Sequence, residues 1–214
     1  MISILMPIYN GIEFIDESVN SILKQTYCDW ELIIGINGHP PNSDVYTYAK
    51  KYQSDNIKVI DLQNVKGKAA ALNDMLMYTK YNWICLLDVD DIWLPKKLES
   101  QIEYMKDFDV IGTQCKYFGD KTDIPPIPLG DISNFDFKRV NPIINSSCLI
   151  KKEYALWDSN VKMCNDYDLW LRLRKKNLKF YNVNKVMVLH RLHSDSAFNA
   201  KGNSYTAQEM VKNY

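Results

Sequence analysis

The first hundred residues alternate between two hydrophobic periods, and that alternation restricts the fold more than any other feature of the chain. Ile2 to Ile8 is a short apolar run that reads as a buried strand. From Ile12 the spacing changes, and Ile12, Ile15, Val19, Ile22 and Leu23 mark one face of a helix. The pattern then repeats: Trp30 to Ile36 predicts a strand, Val45 to Tyr52 a helix, and Ile57 to Leu62 a third strand. Leu72, Met75, Leu76 and Thr79 predict a helix after Gly67, and Trp83 to Leu87 a fourth strand. Pro95 suits the first turn of another helix, with Leu98, Ile102 and Met105 on its inner face. Repeated strand–helix units imply an α/β fold, with a mostly parallel central sheet flanked by helices on both faces.

The second half is less regular. Val110 to Phe118 reads as a strand, Lys121 to Asp136 as a proline-rich loop, and Ser146 to Ile150 as a return to the sheet. Asp166 to Lys176 is a strong helix, Tyr181 to Leu189 is strand-like, and a short helix is expected near Ala207 to Val211. The chain therefore reads as one α/β domain whose C-terminal third closes over the sheet.

Composition removes several function classes. A chain of 214 residues buries a core without disulfides or a structural metal. Lys+Arg and Asp+Glu both number 26, and this balance argues against a general nucleic-acid binder. No apolar run reaches the length of a membrane-spanning helix, and the N-terminus lacks the basic region of a signal peptide. The five cysteines form no Cys-x-x-Cys pair and are odd in number, so we expect reduced thiols and a cytoplasmic protein.

In an open α/β sheet, ligands bind at the carboxyl ends of the strands. Strand one ends in Pro7-Ile8-Tyr9-Asn10, strand two in Asn37-Gly38, and strand four in Asp88-Val89-Asp90-Asp91. Crowded carboxylates repel one another and raise each other's pKa, a cost that a divalent cation removes. The structural alternative is a turn in which Asp90 or Asp91 caps the helix near Pro95. Gly67 and Lys68 open a helix, where backbone N–H groups favour an anion; no P-loop and no Gly-x-Gly-x-x-Gly occurs. Asp166 shares a helical face with Trp170 and Leu173, so its carboxylate is placed to act as a general base or, alternatively, to cap the helix together with Asn165. Asp168 and Arg172 are spaced to pair with each other. In His190-Arg191-Leu192-His193, Arg191 suits a phosphate, His193 a metal or phosphate, and either histidine a purely structural hydrogen bond.

The segments ISILMPIYNG, SILKQTYCDWELII, GKAAALND, WICLLDVDDIWLPKKLESQ, NDYDLWLRL and HRLHSDS together resemble the family 2 glycosyltransferases of the GT-A fold. They follow the family order over residues 2 to 196. The resemblance implies inverting transfer from a nucleotide-sugar donor, UDP-linked by preference, to a glycan or other hydroxyl acceptor, with Mn2+ or Mg2+ as cofactor. It divides the chain into a nucleotide-sugar-binding half, about 1–105, and an acceptor-side half, about 106–214. By position, Pro7, Tyr9 and Asn10 line the nucleotide pocket and Asp88 lies near the ribose and metal. Asp90 coordinates the metal, His193 adds a metal or phosphate contact, Asp166 deprotonates the acceptor, and Trp170 walls the acceptor site.

The chain departs from the family where an Asp-Asp-Gly-Ser run usually follows strand two. Here Ile36-Asn37-Gly38-His39 stands in its place, and Asn37 can both accept from and donate to a base. The Glu-Asp pair before the late helix is Asn165-Asp166. Three rival readings share some of these features: a nucleotide-sugar-binding module without catalysis, a phosphatase of the haloacid-dehalogenase type, and a nucleotidyltransferase.

Overall fold

The computed structural model describes residues 1–194 and 203–214. The chain opens with β1 (Ile2–Ile8), α1 (Ile15–Leu23), β2 (Trp30–Asn37), α2 (Asp44–Ala49) and β3 (Ile57–Leu62). It continues with α3 (Lys68–Leu76), β4 (Trp83–Leu86), β5 (Ile92–Trp93), α4 (Lys97–Ile102) and β6 (Val110–Gly119). The remainder holds β7 (Gly130–Asp131), β8 (Leu149–Lys151), α5 (Asn165–Lys175), β9 (Phe180–Leu192) and α6 (Asn203–Lys212). Asp195 and Ser196, which end the last motif segment, lie outside the described residues.

The strands form one sheet in the order β3-β2-β1-β4-β8-β6-β9-β5, with β7 paired to β9. β1, β2, β3 and β4 run parallel, as the strand–helix repeats require. Beyond β4 the sheet is mixed. β6 and β9 form a long parallel ladder, whereas the antiparallel pairings of β8, β5 and β7 span only two or three residues each.

Both faces of the sheet are covered, and β1 explains how. Its Ile2, Ile4, Met6 and Ile8 pack with Ile15, Val19 and Ile22 of α1, while Leu5 points into the opposite layer with Leu72 and Met75 of α3. The α3 layer needs a bare backbone beneath it, because a Cβ on Gly35 would lie 2.6 Å from the Met75 sulfur. α5 completes that layer with Leu169, Trp170 and Leu173, all buried.

Two features escaped the periodicity. β5 and β7 contain two residues each, too few to display any period. α4 begins at Lys97 after Lys96 and receives no side-chain cap, so neither Asp90 nor Asp91 caps it. α5 likewise lacks a side-chain cap: Cys164, at φ 57°, precedes it, which leaves the Asp166 carboxylate for other work.

This topology brings distant segments to one edge. The ends of β1, β2 and β4 emerge side by side. β8 runs against β4, so the turn Asn145–Ser147 that precedes it lies beside Asp88. β9 runs parallel to β6 and delivers His190 and Arg191 to the same edge.

Candidate active site

After Leu87 the chain bends, and the Asp91 N–H donates to Asp88 O at 3.1 Å. The bend sends the three carboxylates to three different sets of partners. Asp88 takes an ion pair from Lys68 Nζ at 2.5 Å and accepts from Asn145 Nδ2 at 3.1 and 3.0 Å. Burial pushes its pKa up, but the Lys68 ammonium and the Asn145 amide outweigh that and hold it below the ordinary carboxylate value. Burial pulls Lys68 down, and the charge of Asp88 more than reverses it.

Asp91 is fully buried and structural. It accepts from Ser146 Oγ at 2.5 Å, meets His190 Nδ1 at 2.9 Å, and accepts from the Arg191 N–H at 2.9 Å. Ser146 Oγ in turn accepts from the Asp88 N–H at 3.1 Å. Burial lowers the His190 pKa, yet the Asp91 carboxylate brings it up to about 9.

Asp90 has the least compensation. Its Oδ2 meets His193 Nε2 at 3.2 Å. Burial, then the negative charges of Asp91 and Asp88, push its pKa up. A carboxylate crowded in this way fits a hard cation. Among the described residues no group of three or more ligating side chains occurs. Asp90 and His193, which meet at 3.2 Å, are the side chains here that could hold such an ion, with phosphate or water oxygens completing its shell.

Arg191 does not project freely toward a phosphate. Its Nε donates to Asp90 O at 2.9 Å, and one Nη donates to Glu17 at 2.8 Å. Its guanidinium also lies 4.5 Å from the Phe14 ring centre and 4.3 Å from that of Phe118. In this arrangement it clamps the Asp90 backbone.

A cavity of about 1010 Å3 opens beside this edge. Lys68, Asp88, Asn141, Asn145, Asp166 and His190 line it, together with Trp157. Asp166 is half-buried at the start of α5 and accepts from Asn141 Nδ2 at 2.9 Å. The expected Asp168–Arg172 pair forms at 2.8 Å, which leaves Asp166 as the acidic residue of this turn that faces the cavity.

The remaining expected residues fall into two groups. Pro7, Tyr9, Asn10 and Asn37 gather at the ends of β1 and β2. Tyr9 is 58% exposed, its ring is 5.5 Å from that of His39, and the two rings stand beside Gly38. Asn37 is buried at the strand end, and Asn10 is exposed. Gly67 adopts φ +90°, a conformation that favours glycine, with open space where a Cβ would stand. Trp170, by contrast, does not line the cavity: it is fully buried, and its Nε1 donates to Ile143 O at 3.2 Å. A tryptophan on the inner face of a helix packs into the core, and here that face lies beneath the cavity. The tryptophan that lines the cavity is Trp157, from an irregular segment with no readable period. Asn141, Asn145 and Ser146 also reach the site, and nothing local in the sequence ties them to Asp166, Asp88 or Asp91.

With this geometry in hand, comparison with known proteins gives the class. The family model described as glycosyl transferase family 2 matches residues 3–175, and the chain belongs to that family. The O-antigen biosynthesis glycosyltransferase WbnJ of Escherichia coli is 27% identical over 238 residues, covering 99% of this chain and 89% of WbnJ. WfgD of Escherichia coli, a UDP-Glc:alpha-D-GlcNAc-diphosphoundecaprenol beta-1,3-glucosyltransferase, is 38% identical over 105 residues, covering 49% of this chain and 41% of its own. Among solved structures, TarS 1-349 of S. aureus in complex with UDP-GlcNAc superposes with a TM-score of 0.77 at 15% identity. That match covers 98% of this chain and 65% of TarS, so the chain spans about two thirds of the TarS fragment. The fold is that of the GT-A glycosyltransferases. Among the described residues, no helix is long and apolar enough to cross a membrane.

Proposed function

We propose that the chain is a metal-dependent inverting glycosyltransferase that moves a sugar from a nucleoside diphosphate, UDP by preference, to an acceptor hydroxyl on a glycan. The observation that carries this reading is the shared cavity. Asp88, beside the crowded Asp90, and Asp166, from a separate helix, line the same space. One end suits a diphosphate and the other a hydroxyl nucleophile. We read residues 1–214 as one catalytic unit, with the donor half at about 1–105 and the acceptor half at about 106–214.

Two charges must be managed. Negative charge grows on the leaving diphosphate, and Lys68 at the start of α3 sits at that end of the cavity. A divalent cation held by Asp90 and His193 would supply further neutralisation there. The attacking hydroxyl loses a proton, and Asp166 accepts it on the opposite side. One displacement with one base inverts the anomeric centre. Pro7, Tyr9, Asn10 and Asn37 frame the base, and WfgD, whose donor is UDP-Glc, supports uridine.

The test is thermal stability against a panel of nucleoside diphosphates, with and without Mn2+. A ligand at 100-fold its Kd adds about 2.7 kcal/mol. The expected result is a shift for UDP that requires Mn2+ and disappears in Asp90→Asn. No shift with any nucleotide, in a folded chain, would remove the donor site from this reading.

A further inference from the structure

Two residues that line the cavity beside Asp166 each carry a buried polar atom with no hydrogen-bond partner among the described residues. Asn141 lines it, and its Nδ2 donates to Asp166 Oδ2 at 2.9 Å. An ionised carboxylate only accepts, so the amide orientation is fixed and Oδ1 is the end left over. That oxygen is buried with no partner among the described residues. Trp157 lines the same cavity, is 2% exposed, and has an indole Nε1–H that is also buried and unpartnered among the described residues. Its backbone is held from the donor side: Asn73 of α3 donates to Trp157 O at 2.8 Å and accepts from the Trp157 N–H at 3.0 Å.

Buried polar groups are nearly always hydrogen-bonded, so an orphan acceptor and an orphan donor, carried by two residues that line one cavity, point to a ligand that completes both once the side chains turn toward it. The chemistry of that ligand is restricted. A phosphate in its ionised form accepts but does not donate, and fails Asn141. A hydrocarbon fails both. Neighbouring sugar hydroxyls donate and accept from one rigid ring. We propose that Asn141 and Trp157 read the acceptor, a pyranoside with two hydroxyls beside the one that attacks. One donates to Asn141 Oδ1, another accepts from Trp157 Nε1–H, and the attacking hydroxyl lies against Asp166. Asn141 is then a positioning residue, holding Asp166 with one end of its amide and the acceptor with the other. This assignment rests on the glycosyl-transfer reading and replaces Trp170 with Trp157 as the wall of the acceptor site.

The test uses the whole chain labelled with 15N-tryptophan, which gives five indole N–H signals. Trp157→Phe identifies the Trp157 signal; if that variant does not fold, triple-resonance assignment does so. Methyl pyranosides of gluco, galacto, manno, rhamno and N-acetylglucosamine configuration are titrated with UDP and Mn2+ present. At least one is expected to move the Trp157 indole signal, with an apparent affinity reduced tenfold or more in Asn141→Ala. The UDP-dependent thermal shift of that variant is expected to stay unchanged. If no pyranoside moves the signal, or Asn141→Ala responds as the parent does, the assignment is overturned. The UDP shift separates the two readings, because its loss would strike the donor site while the indole titration still decides the acceptor pair.

Discussion

Asp91 and His190 are joined at 2.9 Å, carboxylate Oδ2 to ring Nδ1, with Asp91 fully buried. The same carboxylate holds Ser146 Oγ and the Arg191 N–H. One residue therefore ties the loop after β4 to β9 and to the turn before β8. An amide in its place puts an NH2 group where Oδ2 meets Ser146 Oγ and His190 Nδ1, which breaks those two ties and removes the charge, while the remaining oxygen can still accept from the Arg191 N–H. Asp91→Asn is expected to cost about 3–5 kcal/mol, the range for breaking a buried pair. Urea denaturation checks this: the midpoint falls and the slope stays constant.

The same pair sets a pH dependence. The His190 pKa stands at about 9 against an ordinary 6.5, so folding favours the protonated ring. The sign follows from linkage: the stabilisation is fully present below pH 6.5 and is lost as pH rises through about 9. At about 1.4 kcal/mol per pKa unit, the contribution is on the order of 3–4 kcal/mol. His190→Gln is expected to remove the part of the stability loss that occurs between those two pH values. Urea titrations of the metal-free parent and variant at pH 6, 7.5 and 9 measure it, and parallel curves would refute it.

The helices were legible because their apolar residues repeat at three and four, as in Ile15, Val19 and Ile22. The main strands were legible as buried runs. The Asp cluster was legible because its members are neighbours in sequence. Their separate fates were not, because the partners come from α3, β9 and the turn before β8, up to a hundred residues away. Trp170 illustrates the limit of face arithmetic: an inward position on a helix means core as readily as cavity, and packing decided for core.

Trp170 supplies the corresponding prediction. A fully buried indole with its Nε1–H bonded to Ile143 O is structural. Trp170→Ala is expected to destabilise the chain by about 3–5 kcal/mol. Trp170→Phe keeps most of the volume but strands the Ile143 carbonyl, at a cost of about 1–3 kcal/mol. Where Trp170→Phe folds, the pyranoside response of the Trp157 indole signal should match the parent; a selective loss of that response would return Trp170 to the acceptor site.

Arg191 is expected to act through Asp90. Its guanidinium bonds Asp90 O and Glu17 while lying between Phe14 and Phe118. A lysine cannot make both hydrogen bonds from one flat group, so Arg191→Lys frees the Asp90 backbone. Mn2+-dependent UDP affinity should fall about tenfold, or about 1.4 kcal/mol. Glu17→Gln should reproduce only a small part of this, because Glu17 is mostly exposed and surface pairs contribute about 0–1 kcal/mol. Calorimetric titration of the two variants checks the order of effects. A larger loss in Glu17→Gln would contradict it.

Asp166→Asn separates chemistry from donor binding. Asn141 Nδ2 occupies Asp166 Oδ2, leaving Oδ1 for the acceptor hydroxyl. An amide at this position keeps the shape but cannot take the proton. Turnover, followed as UDP release, is expected to fall by about 10²–10⁴, the usual contribution of a general base. The donor end proposed above comprises Asp88, Lys68 and Asp90, none of which bonds Asp166 directly. UDP affinity with Mn2+ should therefore stay within about twofold, a change below 0.5 kcal/mol. Full activity in Asp166→Asn would mean that another group takes the proton. Equal losses in binding and turnover would mean that Asp166 belongs to the donor site instead.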